Sequence, residues 1–255
     1  MTTRLWIFDF DGTLSPIVPD RRAARILPQA TDLLKELASR PGELVAVLSS
    51  RLLDDLIPRV EVPGVYLGGG SGVEWLLPGG KRWTAPGMAE RLPEARQTLI
   101  PAIGNVLAVP GITMEDKVWS MAIHLRGIGP DQRERVSSFL KDRLRRQGIR
   151  FLRGPRVVEI QFLPEVDKVF GVKTICEILG VDPPRDRLIY AGDDENDAIA
   201  MAWVIQQGGL AVKVGYSHIV PGAWHVNSPA ALVFELCSLI GSNVMSDAGA
   251  RRYTE

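Results

Sequence analysis

The sequence has no excess of charge of either sign, because its 30 lysine and arginine residues balance 30 aspartate and glutamate residues. Surfaces that bind nucleic acid or anionic membranes normally show as an excess of basic residues. Neither kind of partner is therefore expected, and a small molecule is the expected ligand.

Cysteine and long apolar runs are also scarce. The two cysteines, Cys176 and Cys237, lie far apart in apolar segments with a helical pattern, which predicts buried thiols in a reducing compartment rather than a disulfide or a metal site. No stretch approaches the roughly 18 apolar residues that cross a bilayer. Asp9 and Asp11 interrupt the first apolar run too early for a signal peptide. These features predict a cytoplasmic protein.

Short apolar runs alternate with helical patterns in the first and last thirds of the chain. The runs Leu5 to Phe8, Glu43 to Leu48 and Leu188 to Ala191 are typical of buried strands, and each is followed by residues at helical spacing. Strands that alternate with helices predict right-handed crossovers and a parallel sheet, so the predicted fold class is α/β.

The middle third has a different pattern. A turn at Pro78-Gly79-Gly80 predicts a hairpin, two further antiparallel strand pairs are indicated, and residues 130 to 146 form an amphipathic helical pattern. A small α+β unit inserted between two halves of a parallel sheet accounts for this order. The predicted division is a core over residues 1–76, an inserted domain over 77–156, and the second part of the core over 157–255.

Acidic residues follow two of the predicted strands. Asp9 and Asp11 come directly after the first strand, while Asp193, Asp194 and Asp197 come directly after the strand that ends at residue 191. The carboxyl ends of parallel strands meet at one edge of the sheet, where ligands bind. Several ionised carboxylates close together repel one another, which costs free energy unless a cation lies among them. A set of metal ligands that consists of oxygen atoms, without histidine or cysteine, suits Mg²⁺. Any single one of these acidic residues, and Asp194 in particular, could instead cap a helix or lie on the solvated surface without binding a metal ion.

The segment IFDFDGTLSP resembles the D-x-D-G-T signature of the haloacid dehalogenase superfamily. The resemblance implies a Rossmann-like core with an inserted α+β cap of the C2 type. It also implies that Asp9 is a nucleophile that forms an aspartyl-phosphate and that Asp11 is the general acid and base. Gly12 would give the backbone room to turn beside the phosphate.

Three further segments resemble the remaining superfamily motifs in the expected order. VLSSR resembles the second motif and implies roles in substrate contact for Ser49, Ser50 and Arg51. Asp167-Lys168 resembles the third motif, in which the lysine neutralises the phosphate and the nucleophile. GDDEND resembles the fourth motif. The implied Mg²⁺ ligands are Asp9, Asp11, Asp193 and Asp197, and the implied catalytic residues are Asp9, Asp11, Ser49 and Lys168.

The order and spacing of the motifs are most similar to the trehalose-6-phosphate phosphatase family. The stretch Glu115-Asp116-Lys117, the strand MAIHLR and the strand VVEIQF match the cap pattern of that family. Side chains alternate along a strand, so His124 and Arg126 share a polar face. The resulting set of candidate substrate-binding residues is Gly12, Ser50, Arg51, Glu115, Lys117, His124, Arg126, Glu159 and Asp194. A solvated polar face of a half-buried sheet is the alternative for the cap residues.

Three features depart from the family pattern. They are Ser71, Val169, and the residues Asn196, Ala198 and Ile199 of the fourth motif. They leave two alternatives open. The first is a related phosphatase for a different sugar phosphate, such as glucosyl- or mannosyl-3-phosphoglycerate or sucrose 6-phosphate. The second is a sugar-phosphate sensor without catalytic activity. The protein is further expected to be a monomer or weak oligomer, with Mg²⁺ as its cofactor and a small phosphorylated sugar as its substrate.

Overall fold

The computed structural model describes residues 3–146, 149–154, 156–217 and 219–241. Its strands are β1 Arg4–Phe8, β2 Glu43–Leu48, β3 Tyr66–Gly69, β4 Glu74–Leu76, β5 Arg82–Thr84, β6 Thr113–Asp116, β7 Ser120–His124, β8 Phe151–Gly154, β9 Val157–Gln161, β10 Arg187–Gly192, β11 Leu210–Val214 and β12 Trp224–Val226. Its α-helices are α1 Pro28–Ser39, α2 Leu53–Leu56, α3 Met88–Leu107, α4 Pro130–Arg146, α5 Lys168–Leu179, α6 Glu195–Gln206 and α7 Pro229–Gly241.

The larger of two sheets has eight strands in the order β12-β11-β10-β1-β2-β3-β4-β5. Six of them are parallel, and the hairpin β4-β5 extends the β3 edge in antiparallel fashion. The chain leaves β1 in one direction through β2 and β3, and it returns on the other side through β10. The strand order therefore reverses between β1 and β10, which is the point in an open α/β sheet where ligands bind.

The strand β1 is buried on both faces, which explains its continuous run of apolar residues. Trp6 and Phe8 pack into a core cluster with α1 and α7, whereas Leu5 and Ile7 pack into a second cluster with α5 and α6. The result is a three-layer α/β/α arrangement, and the predicted fold class is confirmed.

The smaller sheet has four antiparallel strands in the order β6-β7-β9-β8. Helices α3 and α4 cover one of its faces, where Leu99, Ile103 and Leu140 pack against Met121 and Ile123 of β7. The apolar residues that alternate along β7 thus face the helices. The other face carries Glu115, Ala122 and Glu159, which lie side by side in the strand register.

Strand pairing assigns the segments next to both predicted domain boundaries to one or the other sheet. The boundary between residues 76 and 77 falls inside the hairpin β4-β5, which belongs to the larger sheet because β4 pairs with β3. The boundary between residues 156 and 157 falls just before β9, which belongs to the smaller sheet because it pairs with β7 and β8. By strand membership, the inserted unit begins after Thr84 and ends after Gln161. Residues 242–255 of the predicted second core segment lie outside the described residues.

The two cysteines are free thiols with different environments. Cys176 is buried, as predicted, but Cys237 is exposed, because it lies on the outer face of α7. None of the helices in the described part of the chain is long and apolar enough to cross a membrane.

Candidate active site

Three carboxylates converge at the carboxyl edge of the larger sheet. Asp9 follows β1, Asp193 follows β10, and Asp197 lies in the first turn of α6; an oxygen atom from each lies within 4.8 Å of the others. The parallel pairing of β1 with β10 brings them together, and the Asp9 N–H donates to the Ala191 carbonyl at 2.9 Å. The structure thus clusters three of the four residues predicted to hold a metal ion.

Asp197 is the most firmly held of the three carboxylates. One of its oxygens accepts hydrogen bonds from the N–H groups of Asp193 and Asp194 at 3.0 and 3.2 Å. The other accepts from the Tyr190 hydroxyl at 2.7 Å. Asp194 is the N-cap of α6, and its side chain accepts from the Asp197 N–H at 2.8 Å. Asp194 therefore caps the helix, which is the alternative left open by its sequence position.

Lys168 supplies the positive charge at the centre of the site. Its ammonium is buried and donates to Asp9 Oδ1 and to Asp197 Oδ1, the latter at 2.7 Å. Lys168 begins α5, whose N-cap is Asp167, and its own N–H donates to the Asn196 side chain at 3.1 Å. The third and fourth motifs are therefore joined by hydrogen bonds.

The acidic cluster has more negative charge than Lys168 can offset. Burial and the nearby Asp197 raise the pKa of Asp9 well above its ordinary value, despite the opposing effect of Lys168. Burial and the same neighbour raise the pKa of Asp193 to about 8. Burial would also raise the pKa of Asp197, but Lys168 and Tyr190 lower it below the ordinary value. Such a set of carboxylates fits a divalent cation, which would favour their ionised forms.

The side chain of Asp11, the fourth predicted metal ligand, lies outside this three-carboxylate cluster. Its two oxygens accept from the Nε and Nη2 atoms of Arg51, both at 2.7 Å. Arg51 is fully buried and also binds Asp55 at 2.6 Å and the Arg21 carbonyl at 2.8 Å. A bidentate guanidinium holds a carboxylate firmly, and here it directs Asp11 away from Asp193.

The turn after β1 brings the backbone very close to the acidic cluster. Gly12 has a φ of +85°, and a Cβ atom at this position would lie 2.2 Å from Asp193 Oδ2. Only glycine fits this position. Ser49 is buried at the end of β2, where its hydroxyl accepts from the Arg51 N–H at 3.1 Å, and Ser50 is half-buried beside it.

The cap residues fall into two hydrogen-bonded groups. In the first group, Glu115 binds Arg21 of the core at 2.7 Å and the His124 ring at 3.2 Å. The hydrogen bond with His124 and the charge of Arg21 lower the pKa of Glu115 to about 2. In the second group, Glu159 accepts from Lys117 at 2.7 Å and from the Ser120 hydroxyl at 2.9 Å. Each pairing leaves the carboxylates ionised on the polar face of the smaller sheet.

A cavity of about 850 Å³ lies between the core and this polar face. The core contributes Arg21 and Arg51 to its wall, and the cap contributes Glu115, His124 and Arg126. Arg126 also donates to the Pro19 carbonyl at 2.9 Å, so it links the cap to the core. Among the described residues, Lys117 and Glu159 do not line this cavity.

Comparison with known proteins identifies the family. The model of the trehalose-phosphatase family matches residues 7–233. The chain belongs to the trehalose-phosphatase family. It is 34% identical over 214 residues to the trehalose-phosphate phosphatase of Mycobacterium tuberculosis (strain H37Rv), an alignment that covers 82% of this chain and 53% of that protein. The chain thus spans about half the length of the curated relatives that it matches.

Solved structures confirm the haloacid dehalogenase fold. The C-terminal domain of Candida albicans trehalose-6-phosphate phosphatase has a TM-score of 0.74 and 22% identity, with 94% of this chain and 92% of that chain covered. The C-terminal domain of the Candida albicans trehalose synthase regulatory protein has a TM-score of 0.66 and 15% identity, with 94% of each chain covered. The same fold therefore occurs in proteins described as a phosphatase and as a regulatory protein.

The positions that depart from the family pattern have structural explanations. Ser71 is buried and adopts a left-handed conformation with φ of 57°, so it forms the tight turn after β3. Val169 packs against the core cluster between the sheet and α5. Asn196 anchors the start of α5, which the sequence analysis missed because the contact joins residues 28 positions apart.

Proposed function

We propose that this protein is a Mg²⁺-dependent phosphatase that hydrolyses trehalose 6-phosphate to trehalose and phosphate. The observation that carries the proposal is the convergence of Asp9, Asp193 and Asp197 with buried Lys168, in a chain of the trehalose-phosphatase family. The names of the relatives suggest the substrate, and the geometry supports the chemistry.

In the first step, a carboxylate oxygen of Asp9 attacks phosphorus, and the bond between phosphorus and the sugar oxygen breaks. The leaving oxygen takes a proton from Asp11, and the phosphoryl group remains on Asp9 as an aspartyl-phosphate. Lys168 contacts Asp9 directly, so its charge offsets the negative charge that the phosphoryl group brings.

In the second step, Asp11 takes a proton from a water molecule, whose oxygen attacks phosphorus. The bond between phosphorus and Asp9 breaks, which releases phosphate and restores the carboxylate. The bidentate contact with Arg51 fixes the orientation of the Asp11 carboxylate, which is the group that accepts this proton. Arg51 must loosen this contact for Asp11 to carry a proton in the first step.

Asp9 and Asp193 would hold the Mg²⁺ ion, with Asp197 as the third acidic group of the site. Their all-oxygen donor set and their excess negative charge fit this ion. When bound, Mg²⁺ supplies positive charge that polarises the phosphoryl oxygens. Asp11 is not proposed as a side-chain ligand, since Arg51 occupies both of its oxygens.

The cavity favours a neutral sugar as the leaving group. Its size lies within the range of about 300–1,000 Å³ that is typical of small-molecule sites. Its wall contains four arginines and four acidic residues, so its formal charges cancel. A glycosyl phosphoglycerate would bring an additional carboxylate, for which the wall offers no excess of positive charge. Trehalose 6-phosphate brings only hydroxyl groups beyond its phosphate.

Stabilisation by Mg²⁺ should depend on pH. In the metal-free protein the pKa of Asp193 is raised from 3.8 to about 8, so the folded state binds more protons than the unfolded chain between these values. Stability therefore falls as the pH rises through this window. Because Mg²⁺ binds the ionised carboxylates, we expect a larger increase in melting temperature with Mg²⁺ at about pH 8 than at about pH 6. Equal increases at both pH values would contradict the raised pKa.

The cap residues should affect sugar binding without affecting the reacting centre. We expect Glu115→Gln to raise KM for trehalose 6-phosphate about tenfold, since Glu115 lines the cavity and the substitution removes the charged partner of Arg21 and His124. Turnover of p-nitrophenyl phosphate, which has no sugar, should change little. Glu165→Gln is the matched control, because Glu165 forms an exposed ion pair with Arg91. Equal losses with both substrates would assign Glu115 a purely structural role.

A panel of phosphate esters tests the proposed substrate. Purified protein with Mg²⁺ should release phosphate from trehalose 6-phosphate with a higher kcat/KM than from glucose 6-phosphate, sucrose 6-phosphate or glucosyl-3-phosphoglycerate. If trehalose 6-phosphate were no better than glucose 6-phosphate, the narrow assignment would fail and a broader sugar phosphatase would remain. Binding of these esters without any phosphate release would instead establish the sensor.

The complete catalytic set argues for the enzyme over the sensor. A protein that only binds a sugar phosphate has no need of a nucleophile, yet Asp9 is buried beside Lys168 with its full set of neighbours. A cytoplasmic location and a monomeric or weakly oligomeric state stay predictions.

A further inference from the structure

Lys213 is a buried lysine that the proposed reaction does not use. It lies on β11, only 1% exposed, within an otherwise apolar strand. Burying an ammonium group is costly unless hydrogen bonds satisfy its donors. The acceptors of these hydrogen bonds therefore indicate the role of Lys213.

The hydrogen bonds of Lys213 converge on the loops that follow β10 and β11. Its ammonium donates to the carbonyl of Asp193 at 2.8 Å, to the carbonyl of Val214 at 2.5 Å and to the hydroxyl of Ser217 at 3.2 Å. The Ser217 hydroxyl in turn donates to the same Asp193 carbonyl at 2.5 Å. One side chain from β11 and one from the loop that follows it thus hold a single carbonyl of the loop after β10.

With these contacts, both backbone polar groups of Asp193 form hydrogen bonds. Its N–H donates to Asp197, and its carbonyl accepts from Lys213 and Ser217. On its other side, the Asp193 carboxylate lies so close to Gly12 that a Cβ atom there would be 2.2 Å away. The position of the carboxylate therefore depends on both peptide groups being held.

We propose that Lys213 is a positioning residue that, together with Ser217, holds the carboxylate of Asp193 in place for a divalent cation. The inference rests on the proposed Mg²⁺ site and extends it to the loop after β11. Groups that orient metal ligands without touching the metal typically affect affinity by about 10- to 100-fold. Lys213 would act in this way through the main chain of Asp193.

The test is Mg²⁺ binding, measured by isothermal titration calorimetry on the full chain without substrate. We expect Lys213→Met to raise the Kd for Mg²⁺ by about tenfold or more, and Ser217→Ala to raise it by a smaller factor. Lys35→Met is the matched control, because Lys35 is exposed on α1, and it should bind Mg²⁺ like the unaltered protein. Circular dichroism would verify that each variant is folded.

The sign of the change separates positioning from simple charge repulsion. Removal of a positive charge near the cation would, by electrostatics alone, tighten Mg²⁺ binding. Tighter or unchanged binding by Lys213→Met would therefore overturn the inference. If this variant does not fold, Ser217→Ala decides, because Ser217 is exposed and its loss should not unfold the chain; unchanged binding would again overturn the inference. Failure of the unaltered protein to bind Mg²⁺ would overturn the proposed metal site itself.

Discussion

Asp9→Asn should reduce the release of phosphate from trehalose 6-phosphate by at least about 10⁴-fold, because an amide cannot form the aspartyl-phosphate. The fold should be retained, since asparagine has nearly the same shape and the substitution removes one of three repelling carboxylates. The measurement is kcat at saturating substrate and Mg²⁺, together with a thermal unfolding curve.

Asp32→Asn is the matched control for this substitution. Asp32 is exposed on α1, so the same chemical change there should leave kcat unaltered. Substantial residual activity in Asp9→Asn, with the control unaffected, would exclude Asp9 as the nucleophile. It would then point to direct attack by water on the phosphate ester.

Lys168→Met should produce the largest combined loss of activity and stability. Its ammonium is the direct partner of both Asp9 and Asp197, all three groups being buried. Removing one member of a buried charged cluster costs about 3–5 kcal/mol, because the remaining charges are left without compensation. We expect a reduction of that size in the free energy of unfolding, measured with urea at neutral pH, and a reduction in kcat of about 10³-fold.

The stability loss of Lys168→Met should depend on pH in a defined direction. Without Lys168, the pKa of Asp9 should rise further and the pKa of Asp197 should rise from its lowered value. At low pH both carboxylates are then protonated, so the loss of stability is smaller. Lys35→Met is the control, because Lys35 is exposed on α1, and it should leave the free energy of unfolding almost unchanged at all pH values. A loss for Lys168→Met that does not change with pH would mean that packing, rather than charge, is responsible.

The predicted and observed elements agree best where the period of the apolar residues is unambiguous. The helix predicted over residues 130–146 coincides with α4. The predicted domain boundaries differ from the division by strand membership, because the sequence pattern does not show with which sheet short strands such as β5 and β9 pair. Pairing partners depend on long-range contacts, which local periodicity does not encode.

The candidate site shows the same contrast between local and long-range information. Asp9, Asp193 and Asp197 could be selected because each follows a recognisable strand, whereas Lys168 was implied only by the resemblance to the ordered superfamily motifs. The role of Lys213 was missed, although a lysine within the apolar run Leu210–Val214 is a detectable signal of a buried charge with a structural purpose. The contact between Asp11 and Arg51 was not predicted, because the two residues are 40 positions apart in the sequence.

The sequence by itself determined the α/β class, the family and the acidic residues at the strand ends, because these features depend on local patterns and on motifs of a few residues. Only the tertiary structure decided which carboxylates meet, that Arg51 withdraws Asp11 from them, and that Lys213 holds the Asp193 loop. These outcomes depend on which buried charges find partners, and the cost of leaving a buried charge unpaired is evaluated only once distant segments are packed together.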